Sequence, residues 1–165
     1  MILAVLVLAA TPTLELAVEH AGAPDAALVV RVHNPAGHRP MGLLREFWKF
    51  ESIQCTLTRD GTMVPYKLAL KPDRPTLAQL VVLSSNSEYG ERLPLSDVWG
   101  TVQSGNYHAE CHVGPHAGVG EPGKLFEASI SGGARRALIG LLQDLRRVDF
   151  VLADLKPTSI DFKLP

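Results

Sequence analysis

The densest collection of chemistry-bearing side chains in the chain is "SGNYHAECHVGPH", Ser104 to His116. It holds Tyr107, His108, Glu110, Cys111, His112 and His116. Imidazole, carboxylate and thiolate are the donors of zinc and copper sites. Imidazole beside carboxylate also serves general acid–base chemistry. Spacing decides between these uses and a plain strand. His108 and His112 are four residues apart, about 13 Å along a strand, whereas two imidazoles on one zinc must each come within about 2.1 Å of it. A helix would bring them together, but Gly105 and Gly114 bracket the segment and argue against one. The stretch therefore reads as a β-strand. Tyr107, Ala109, Cys111 and Val113 share its core face, and His108, Glu110 and His112 share its solvent face. His116, in the following loop, could join His112 and either His33 or His38 in a surface copper or zinc site. The favoured reading is solvated histidines, with no metal, no cofactor and no catalytic residue.

Cys111 has one possible partner, Cys55. In "SIQCTLT" the residues Ile53, Cys55 and Leu57 alternate with Gln54, Thr56 and Thr58, so Cys55 also points inward. A disulfide across the shared core is the expectation, with two buried free thiols as the alternative. Neither cysteine belongs to a CxxC pair, which leaves a zinc ribbon or a thioredoxin-like site without support. An even cysteine count suits an oxidising compartment. So does the N-terminus. Ile2 to Ala10 is an unbroken apolar run, too short for a bilayer span and suited to the core of a secretory signal. It lacks a basic flank, and a buried first strand is the other reading of it. Residues 1–10 are expected to be a signal peptide, with the mature chain starting near Thr11, secreted or periplasmic and free of an integral membrane segment.

The elements that must position these residues are short. Hydrophobic residues make up 46% of the 165-residue chain and charged residues 20%, enough apolar material for one folded domain over residues 11–165. The formal net charge of −1 carries no basic excess, which argues against a nucleic-acid partner. With 14 Gly and 12 Pro, turns and short strands are favoured over long helices. Thr13–His20 and Ala26–Asn34 read as strands, and Pro35, Gly37 and Pro40 mark a loop after them. "FESIQCTLTRDGTMVPYKLAL" is the strongest local signal. Asp60-Gly61 between two alternating runs predicts a β-hairpin, with its second arm running through Met63-Val64 and Tyr66 to Leu70. Thr76–Ser85 reads as another strand, Glu91–Gly100 is expected to contain a short one, and closing strands are expected in "VDFVLADL" and "SIDFKLP". Apolar residues at 134, 137, 138, 141, 142, 145 and 148 form one helical stripe, opposite Arg135, Arg136, Asp144, Arg146 and Arg147. A loop and this helix are thus expected as an insertion over about 114–148. The fold expectation is all-β: an antiparallel β-sandwich with one inserted α-helix near the C-terminus.

"GNYHAEC" resembles the G-x-Y segment of strand F in immunoglobulin-like sandwiches, which implies a tyrosine corner at Tyr107. "VRVHNPAG", "LTRDGTMVPYKL", "PLSDVWGTVQSGNY" and "SIDFKLP" are similar to segments of the small sandwich module that accompanies secreted deuterolysin-like and peptidyl-Lys zinc metallopeptidases. This resemblance covers roughly Thr13–Val113 and the last eight residues. It implies an immunoglobulin-like fold, and it does not extend to the peptidase activity, because the chain has no H-E-x-x-H string. It also departs in its cysteines. The antibody-domain bridge joins strands B and F, whereas Cys55 falls on the strand expected to be C.

Other strings carry less. Gly118-Val-Gly120-Glu-Pro-Gly123 matches G-x-G-x-x-G, but Pro122 interrupts it and no strand–helix context surrounds it. There is no G-x-S-x-G elbow and no recognisable carboxylate pair. Trp48 and Trp99 read as packing, with sugar stacking as the alternative. "REFWKF" is too short for a nucleic-acid surface. The functional expectation is a non-enzymatic exported module. It would bind a protein or peptide through loops such as Asn34–Phe47 and Val113–Gly123. The alternatives are a protease inhibitor or accessory domain of a secreted peptidase, and a surface metal-binding protein using histidines.

Overall fold

The computed structural model describes residues 11–22, 25–45, 53–67, 80–100, 102–113 and 155–165. The strands are β1 (Thr13–Glu19), β2 (Ala27–Asn34), β3 (Met41–Leu44), β4 (Ile53–Arg59), β5 (Thr62–Met63), β6 (Leu80–Leu83), β7 (Ser87–Pro94), β8 (Gly105–Val113) and β9 (Thr158–Leu164). One helical turn, α1 (Leu95–Val98), lies between β7 and β8. Every strand pairing among the described residues is antiparallel. The strands form three sheets, ordered β1-β2-β7, β3-β6 and β5-β4-β8-β9. The expected signal peptide, the loop and helix over 114–148, and "VDFVLA" lie outside the described residues. No described helix is long and apolar enough to cross a membrane.

Two-residue alternation builds the core. Leu28, Val30 and Val32 of β2 face Ile53, Cys55 and Leu57 of β4 and Tyr107, Ala109 and Cys111 of β8 within one buried cluster. Leu14, Met41, Leu43, Leu83, Leu93 and Leu164 complete it, so every sheet contributes to a single interior in a sandwich-like arrangement. Fully burying aliphatic side chains of this size is worth about 1.5–3 kcal/mol each.

The Asp60-Gly61 hairpin forms as expected, with Arg59 opposite Thr62 and Thr58 opposite Met63. Asp60 has φ 47° and Gly61 φ 81°, the two left-handed residues of a type I′ turn, which is why Gly is required there. Its second arm is shorter than expected. The Val64 N–H still donates to the Leu57 carbonyl at 2.8 Å, but Pro65 has no N–H to extend the ladder. The chain leaves the sheet at that point, and the Tyr66 hydroxyl donates to the Cys55 carbonyl.

Three further differences are instructive. The expected loop from Asn34 contains β3, whose four residues are all buried. Its approach is tied down by Asn34, itself fully buried. The Asn34 amide nitrogen lies 3.0–3.1 Å from the carbonyls of Arg39, Leu83 and Ser84, so one side chain satisfies the bend and the end of β6 together. In "ERLPLSDVWG" the strand begins earlier, at Ser87, and ends at Pro94, after which α1 takes over. Finally, Cys55 and Cys111 stand directly opposite each other on neighbouring strands, with sulfurs at disulfide distance and Cα atoms 4.1 Å apart. The bridge therefore lies within one sheet and not across the core. Both cysteines do point inward, as alternation requires, but β4 and β8 are partners in the same sheet.

Candidate functional site

β8 takes up Gly105–Val113, and its burial alternates as its composition demands. Tyr107, Ala109 and Cys111 are buried, while His108, Glu110 and His112 lie on the other side. Val113, the last inward position, is only half-buried at the strand end.

Register assembles the outer face of the four-stranded sheet from this pattern. One cross-strand row runs Met63, Thr58, His108, Asp161. The next runs Thr56, Glu110, Ser159, and beyond it Gln54 stands opposite His112. On the other side of the first row, Asn106 pairs with Lys163. His108 Nδ1 and Asp161 Oδ1 are 2.7 Å apart, a pair spanning β8 and β9 that is open to water. The hairpin turn closes one end. Asp60 Oδ1 accepts from the Asn106 backbone N–H at 3.1 Å and from its side-chain amide at 3.2 Å. The Asp60 N–H donates to the Asn106 carbonyl at 2.8 Å. Gly105 permits this approach, because a Cβ there would come within 2.9 Å of Asp60 Oδ2 and of Arg59 Cγ. A groove of about 470 Å³ results, bounded by Thr58, Asp60, Asn106, His108, Asp161 and Lys163.

Beneath this face, the Tyr107 hydroxyl donates to the Gln103 carbonyl at 2.7 Å and accepts from the Gln103 N–H at 3.2 Å. The Tyr107 ring stacks on Phe162, the residue opposite it on β9. These contacts fix the backbone from which His108 and Asn106 project.

The other candidate residues are dispersed. His33 lies on the outer face of the three-stranded sheet, between Thr13 and Glu88. His38 sits in the tied bend, its Nδ1 2.8 Å from the Arg39 carbonyl. His116 and the Gly118–Gly123 string lie outside the described residues, as does Trp48. Among the described residues, no group of three His, Cys, Asp or Glu side chains is placed to hold a metal ion. Trp99 is only 5% exposed and stacks on Tyr66, so it is packing and not a sugar platform.

Asp161 had no signal of its own in the sequence, and Asp60 was legible only as half of the Asp60-Gly61 turn. Their place at the groove follows from the β8–β9 register and the hairpin. The stretch of sequence between β8 and β9 is too long for register to be read from its length.

No protein-family model matches this chain, and no curated protein matches it either.

Proposed function

We propose that the chain is an exported, non-enzymatic immunoglobulin-like module that binds a protein or peptide through the outer face of the β5-β4-β8-β9 sheet. The observation carrying the reading is the groove on that face, beside a His108–Asp161 pair that is left open to water. Strand order supports the immunoglobulin-like part. If β1, β2 and β7 correspond to strands A, B and E, then β4, β8 and β9 correspond to C, F and G, the division of such sandwiches into two sheets. The Tyr107 hydroxyl bond to Gln103, four residues back, fits the tyrosine corner of such sandwiches. The in-sheet cysteine pair departs from the B–F bridge of antibody domains. Export is supported by that pair, which persists in oxidising compartments, and by the apolar run at residues 2–10.

Two measurements test this reading. Mass analysis of the chain expressed with its N-terminus in its native host should find a protein starting near Thr11, two hydrogens lighter than its dithiol form. Retention of the full N-terminus on a cytoplasmic, reduced chain would refute export. A photo-crosslinking amino acid at position 110 should yield a discrete adduct in that compartment. Failure there, with the chain folded, would refute binding by this face.

A further inference from the structure

We draw no further inference here: the strongest candidate, the edge of β9 away from β8, where Asp161 and Lys163 flank Phe162 in an order that would complement itself in a second copy of the chain, carries nothing because nothing in the structure shows what covers that edge.

Discussion

The two main sheets present outer faces made by the same alternation, and they use their charges differently. On the three-stranded sheet some charges are drawn into local contacts, while Glu15, Arg31 and Glu88 are exposed. Arg92 lies 3.2 Å from Glu19 and donates to the Asp25 carbonyl at 2.7 Å, and the Arg31 side chain runs over Gly90. Ala27 and Val29, outward by register, are nonetheless buried. On the four-stranded sheet the same alternation leaves Glu110 facing water, and His108 and Asp161 beside a groove. The lesson is that polar outward positions do not by themselves mark a site. A candidate site needs a further feature, here the groove beside the His108–Asp161 pair.

That contrast can be attacked from the inside outward. The largest effect should come from replacing both Cys55 and Cys111 by Ala. The bridge closes a sequence separation of 56 residues, worth about 4 kcal/mol in the chain-entropy model. Urea unfolding of the variant should show a loss of that order, and an unchanged midpoint would mean the sulfurs are not bonded. Next, Leu57→Ala should cost about 2–5 kcal/mol, since Leu57 is buried in the core cluster. Its neighbour Thr58, on the outer face, should cost less than about 0.5 kcal/mol when replaced by Ala. Equal costs at 57 and 58 would break the assignment of faces on β4. Tyr107→Phe should cost about 1 kcal/mol, because it removes the hydroxyl bonded to Gln103 while keeping the stacked ring. The smallest effects separate the two outer faces. Arg92→Ala should lower stability by about 0.5 kcal/mol or less, an exposed ion pair being worth little. It should leave partner crosslinking intact. His108→Ala should be similarly mild in unfolding yet abolish crosslinking.

Much of this architecture is legible in the chain itself. "GNYHAECHV" becomes β8 from Gly105 to Val113, because its strict alternation leaves little else for it to be. The Asp60-Gly61 turn is equally plain. β3 is hidden because "MGLL" has no alternation to read. Buried along its whole length, it sits just after Pro35, Gly37 and Pro40, whose turn signal dominates the neighbourhood. The in-sheet cysteine bridge could not be inferred, since alternation says which way Cys55 and Cys111 point but not which strands are neighbours. The groove was half visible for a similar reason. His108 and Asn106 belong to a recognisable strand, while Asp161 reaches His108 only through pairing with a strand distant in the chain.

The central proposal is that the chain binds its partner through the outer face of the four-stranded sheet and not through that of the three-stranded sheet. It is tested most directly by comparing photo-crosslinking yields from position 110 on β8 and position 15 on β1, in chains of matched stability and expression. The account predicts a discrete adduct from position 110, lost in His108→Ala, and no adduct from position 15. Equal yields, or an adduct from position 15 alone, would contradict it.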